Sequence, residues 1–178
     1  MDTKLYTIII YSENVAGILN QVTAVFTRRQ VNIESLNVCA SSTPGVHKYT
    51  ITCNCTEEMA TMLTKQIEKK IDVLQAHYFT DDDIFILECG LLKVSTQLML
   101  ENAEANQIVR RLGARIVEMN PTFSIVEKKG STEDIICLFQ QLDKLGIVLQ
   151  FVRSGRIAVT KNPVELLDRF LEEREKQR

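Results

Sequence analysis

Residues 5–36 read LYTIIIYSENVAGILNQVTAVFTRRQVNIESL, and the spacing of their apolar residues changes twice. Leu5 to Tyr11 is a short apolar, β-branched run, which predicts a strand buried on at least one face. Ser12-Glu13-Asn14 breaks that run. Val15, Ile18, Leu19, Val22, Val25 and Phe26 then recur at helical spacing, and Asn14 stands where an N-cap belongs. Alternation returns from Ile33 to Ala40, with Leu36, Val38 and Ala40 on one face and Asn37 and Cys39 on the other. Ser41-Ser42-Thr43-Pro44-Gly45 is turn chemistry. Beyond it Tyr49, Ile51 and Cys53 alternate with Thr50, Thr52 and Asn54, a third strand that pairs with the second as a hairpin. Thr56 is placed to cap a helix from Glu57 that carries Met59, Met62, Leu63 and Ile67, and Ile71 to Tyr78 supplies a fourth strand. The order is βαββαβ, the ferredoxin-like split arrangement.

The same order returns further on. Thr80-Asp81-Asp82-Asp83 is an acidic break and the expected linker, residues 80–83, between a domain over 1–79 and a second over 84–160. Ile84 to Ser95 reads as a strand. Ala105, Ile108, Val109 and Leu112 read as a helix stopped by Gly113. Ala114–Met119 and Thr122–Glu127 are strands flanking Asn120-Pro121. After Gly130-Ser131-Thr132 a helix carries Ile135, Leu138, Phe139, Leu142 and Leu145 up to Gly146, and Ile147–Val152 and Ile157–Thr160 are extended. Asn162-Pro163 opens an expected helical tail over 161–178, with Val164, Leu167, Phe170 and Leu171 on one face. The fold class is α+β, two ferredoxin-like βαββαβ domains whose halves repeat in element order and not in residues.

Charge and composition remove several function classes. The 178 residues carry 21 Lys+Arg against 23 Asp+Glu, a net charge of −2, so no general attraction to nucleic acid or acidic membranes is expected. No apolar run approaches the roughly 18–20 residues of a bilayer-spanning helix. Met1-Asp2-Thr3-Lys4 passes straight into strand-like sequence, and five unevenly spaced cysteines do not form a disulfide framework. A cytoplasmic protein with free thiols is the expectation.

The search for catalytic groups finds little. His47 and His77 lie in predicted strands with no acidic partner at a recurring spacing, so both read as structural or surface residues. Cys53 and Cys55 share a strand face but supply two ligands where structural zinc takes about four, and buried small hydrophobes is the better reading. Asp81–Asp83 lack the glycine and glutamate of a calcium loop. A Gly-rich phosphate loop and a nucleophile elbow are both missing, and with no Trp, four Tyr and seven Phe there is little to stack on single-stranded nucleic acid. No catalytic residue and no metal ligand is therefore expected.

The junction of the first strand and first helix stands out. Asn14 at the expected cap and Gly17 three residues into the expected helix combine free first-turn amides, the positive end of a helix dipole and room for close approach. This suits a small carboxylate ligand, although on composition alone an ordinary capped helix with a glycine that only eases packing is the better reading. Asn32 follows the helix. A helix of ~15 residues is ~22 Å long, so Asn14 and Asn32 of one chain are expected at opposite ends of the domain.

The run Glu13-Asn14-Val15-Ala16-Gly17-Ile18-Leu19 resembles the N-x-x-G-x-L signature of ACT domains. Val31 to Leu36, with Phe26 and Arg29, resembles the regulatory small subunit of acetohydroxyacid synthase (acetolactate synthase), as do Asn120-Pro121-Thr122 and Val152-Arg153-Ser154-Gly155. The resemblance implies a non-catalytic subunit that activates a separate catalytic subunit of a transferase complex and confers feedback by valine or another branched-chain amino acid. It implies an ACT homodimer with the effector at the interface, held by Asn14, Val15, Ala16, Gly17 and Ile18 and by Asn32 and Ile33 of the second copy. No cofactor is expected in this chain; thiamine diphosphate, magnesium and FAD are expected in the catalytic partner. Val15-Ala16 stands where the family often has a small polar residue before the glycine. The alternative is a stand-alone ACT-type sensor that regulates another enzyme.

Overall fold

The computed structural model describes residues 2–163 and Leu167. Apart from Leu167, which is buried, the expected tail residues Val164, Phe170 and Leu171 lie outside the described residues. The chain divides into two compact units, one running to Phe85 and resumed from Ile157, the other Ile86–Arg156.

The first unit contains β1 (Lys4–Glu13), α1 (Ile18–Arg28), β2 (Ser35–Ala40), β3 (Val46–Cys55), α2 (Glu57–Glu68) and β4 (Val73–Phe79). The sheet order is β2-β3-β1-β4, with every pair antiparallel. Ile8 and Ile10 of β1 and Tyr49, Ile51 and Cys53 of β3 face Val22, Phe26, Leu63 and Ile67 of the helices in one core. The strand period of two and the helix period near 3.6 direct these residues to a common side. Burial does not stop there, because Thr7, Ile9 and Tyr11 on the other face of β1 are buried as well.

The fourth strand starts two residues later than expected. A turn closed by Val73 N–H donating to Lys70 O at 3.1 Å carries Ile71 outside the sheet, where it is 98% exposed. Likewise β2 begins at Ser35, although Ile33 and Leu36 still pack against the core, and Ala40 at its far end is exposed.

The second unit repeats the plan with β5 (Ile84–Ser95, which begins at the boundary), α3 (Thr96–Glu101), α4 (Ala103–Arg111), β6 (Arg115–Met119), β7 (Phe123–Gly130), α5 (Thr132–Asp143) and β8 (Val148–Arg153). Its sheet path, β6-β7-β5-β8, is that of the first unit strand for strand. Leu92, Val94 and Val126 pack against Ile108, Val109, Leu138 and Leu142. The short helix α3 has no counterpart in the sequence expectation. Of its apolar residues only Met99 is fully buried, while Leu98 and Leu100 are exposed, so no stripe marks it. The extended piece at Ile157–Thr160 is present as β9.

Candidate effector site

The β1–α1 junction is an exposed loop pinned by backbone bonds. Glu13 N–H donates to Asp72 O at 2.9 Å and Asn14 N–H to Gly45 O at 2.9 Å, so the Pro44-Gly45 turn supports it from the side. Val15 N–H returns to Glu13 O at 3.0 Å. The helix then starts at Ile18, with Gly17 as N-cap at φ 91°. That left-handed conformation suits glycine and burdens any residue with a Cβ.

Two expectations are corrected here. Asn14 is not the N-cap, and Gly17 lies before the helix, not three residues into it. A left-handed residue cannot continue a right-handed helix, so Gly17 cuts off the turn that Val15 and Ala16 would have formed. Val15 consequently leaves the apolar stripe and is 48% exposed, and Asn14, Ala16 and Gly17 are exposed with it.

The change leaves the helix start more open. Gln21 is the residue whose N–H closes the first full turn, onto Gly17 O at 3.1 Å, and no side chain caps α1. Thr56, Ser95, Asn102 and Ser131 each accept a first-turn amide in α2, α3, α4 and α5. Free first-turn amides and the helix dipole together attract an anion.

Ile18 differs from its neighbours in the loop, being fully buried in the core. Asn32 and Ile33 lie beyond the other end of α1, about 16 Å away along its 11 residues. Asn32 is exposed and Ile33 half-buried. Within one chain the structure therefore gathers Asn14–Ile18 and leaves Asn32 and Ile33 apart.

The remaining candidates take structural places. Cys53 and Cys55 are buried free thiols with sulfurs 3.9 Å apart, and burial above all pushes the Cys53 thiol up to about 12, far from a reactive thiolate at neutral pH. The His77 ring lies 6.4 Å from that of Phe79. Among the described residues no group of three His, Cys, Asp or Glu side chains could hold a metal ion, and no helix is long and apolar enough to cross a membrane. Asp83 accepts from Thr80 N–H and Oγ1 at 3.1 and 2.7 Å, which draws its carboxyl below the usual range.

The late motifs stabilise the second unit. Ser154 Oγ accepts from Cys89 N–H at 3.0 Å, while Ser154 N–H donates to Cys89 O at 2.9 Å. Arg153 approaches the buried Glu88 at 3.6 Å, and Thr132 Oγ1 donates to the other Glu88 oxygen at 2.9 Å. Asn120 Oδ1 accepts from Thr122 N–H and Phe123 N–H and so closes the β6–β7 turn.

A βαββαβ unit with an open, glycine-capped β1–α1 junction defines an ACT domain, and residues 8–75 match the family described as "AHAS small subunit-like ACT domain". Residues 87–162 match "Small subunit of acetolactate synthase". The chain is 30% identical over 160 residues to the probable acetolactate synthase small subunit of Methanothermobacter thermautotrophicus, covering 90% of this chain and 94% of that one. It is 32% identical over 149 residues to the acetolactate synthase small subunit of Bacillus subtilis, covering 83% and 86%. The chain belongs to the acetolactate synthase small subunit family and is a regulatory subunit. The crystal structure of the acetolactate synthase small subunit from Thermotoga maritima has the same fold, with a TM-score of 0.81 at 22% identity over 90% of this chain and 99% of that one.

Proposed function

We propose that this chain activates the thiamine-diphosphate-dependent catalytic subunit of acetolactate synthase and makes it sensitive to valine or another branched-chain amino acid. The carrying observation is that no side chain caps the start of α1 behind Gly17, which adjoins an exposed loop. In this reading residues 1–79 dimerise and bind the effector, 84–160 form the second domain, and 80–83 join them. The α1 amides take the effector carboxylate, and the Asn14 side chain and loop carbonyls take its ammonium. Asn32 and Ile33 of a second copy close the pocket, a pairing favoured by the open edge of β2. The half-exposed Val15 and Ile33 form the apolar wall; Ile18, with its side chain in the core, contributes backbone.

Feedback requires the effector to prefer the less activating arrangement, with couplings of about 1–3 kcal/mol. The test is turnover of the catalytic subunit with and without this chain across added valine, leucine and isoleucine, beside its mass in solution. Activation that one of these amino acids reverses, from a dimeric chain, is the expected result. Gly17→Asp should abolish feedback and spare activation, because its carboxylate would compete with the effector's own; undiminished valine binding by calorimetry in that variant would refute the site. An amino-acid response with no effect on the catalytic subunit would instead mark a sensor for another enzyme.

A further inference from the structure

In the first unit, the C-terminal ends of α1 and α2 and the residues just beyond them flank a groove of about 390 Å3 lined by Val25, Arg28, Arg29, Gln66, Lys69 and Lys70. Four cations thus meet around one depression in a chain of net charge −2. The ion pairs among the described residues join Arg115 and Lys129 to Glu127 and Arg153 to Glu88, and none involves these four. Arg29 Nε donates to Gln66 Oε1 at 3.4 Å, which ties the two walls together. Val25 is buried, while Arg28, Arg29 and Lys69 are exposed.

Part of this charge has a local purpose. Each helix C-terminus carries roughly half a negative charge, and Lys or Arg complements it. Two such ends offset about one of the four cations, and the surplus faces solvent. The kind of anion that fits follows from the donors. Helix C-termini present carbonyls, so the backbone here offers no cluster of N–H groups like those that cradle phosphate at helix N-termini. A compact anion seated deep would meet those carbonyls. Carboxylates on a broad surface meet the long cationic side chains at the rim without that repulsion.

We propose that this groove docks an acidic surface of the acetolactate synthase catalytic subunit, an assignment that rests on the regulatory-subunit reading above. Its position connects docking with sensing. Arg29 stands three residues before Asn32, and between them Gln30 is held at φ 54°, left-handed backbone in a non-glycine residue. An effector that grips Asn32 and Ile33 therefore acts on the loop that leads directly from the docking cations.

The test measures affinity of the full-length chain for the catalytic subunit by surface plasmon resonance at NaCl from about 50 to about 500 mM, a range that spans weak to strong screening. Two variants are compared with the unaltered chain: R28E/R29E/K69E/K70E and the milder R28Q/K69Q/K70Q. Affinity at low salt should fall by about tenfold or more in the first and less in the second, with a flatter salt dependence in both. Valine binding and dimer mass should be unchanged. Affinity within about twofold of the unaltered chain in both variants would overturn the assignment. So would tight binding of inorganic pyrophosphate that the variants lose while docking persists, since that makes the groove a small-anion site. An unaltered chain that never binds the catalytic subunit refutes the regulatory-subunit reading itself, a result distinct from a failure confined to the groove.

Discussion

The two units follow one plan and treat their first strand–helix junction in opposite ways. In the second unit β5 ends at Ser95 and α3 begins at Thr96, with the Ser95 hydroxyl accepting the Leu98 amide. In the first, four residues separate β1 from α1, and the cap is a left-handed glycine with no side chain to give. The sheets differ in the same sense. Central strand β1 is buried on both faces, whereas β5 alternates and leaves Leu91 exposed. A closed junction holds a fold together; an open one stays available to a ligand. One strand order thus carries one first helix start closed by a side chain and one without such a cap.

Two glycines sharpen this contrast, because each is required for a different reason. A Cβ on Gly90 in β5 would sit 2.5 Å from Ile135 Cγ2, on a β-branched side chain that cannot turn aside. Gly90 thus exists to let α5 approach the sheet. Gly90→Ala should destabilise the protein by about 1–3 kcal/mol, the range for overpacking a core, read as a lower melting temperature. Adding Ile135→Ala should recover part of the loss, and purely additive losses in that double variant would show that the contact is not the cause.

At Gly17 the space is open, with nothing within 4 Å of an added Cβ, and the strain lies in the backbone. Gly17→Ala should cost about 1–2 kcal/mol from its positive φ alone. Gly17→Asn should cost less, since asparagine tolerates the left-handed region. Thermal melts of the two variants check the order. Equal losses would show that φ is not what selects glycine here.

Much of this organisation was readable in the chain because burial is periodic. Ile8, Ile10, Ile51, Phe26 and Leu63 recur at strand or helix spacing, and that recurrence gives the βαββαβ order and the sheet-facing sides. Periodicity misled where a residue fits the stripe without belonging to it. Val15 stands at helical spacing from Ile18, so it extends the apparent helix across Gly17, and only φ ends it there. Ile71 likewise extends an apolar run and lies in solvent. Helix α3 was silent because one turn with one buried methionine has no period to detect. Of the site, Asn14 to Gly17 could be located from local residues. The grouping with Asn32 and Ile33 came from the resemblance, since a single chain separates them by the length of α1.

The smallest expected effect concerns the closed helix starts. Ser131 and Asp134 form a reciprocal cap on α5, with Ser131 N–H donating to the Asp134 carboxylate at 3.1 Å and Ser131 Oγ accepting from Asp134 N–H at 3.1 Å. The bond from the Ser131 amide holds the Asp134 carboxyl below its ordinary value of 3.8. The folded state therefore favours the ionised form more than the unfolded chain does. Its stabilisation is fully present above the unfolded value and is lost as pH falls through the lower, folded one. Glu127, drawn down by Lys129 and Arg115, shares that sign within the second unit. Asp134→Asn should lower stability modestly at neutral pH, and its melting temperature should fall less steeply with acid than that of the unaltered chain. Because α1 has no such carboxylate at its start, the acid response of valine binding should not follow that of α5. Parallel acid titrations of melting and of valine binding test the separation, and identical profiles in the two would show that the units do not differ at this level.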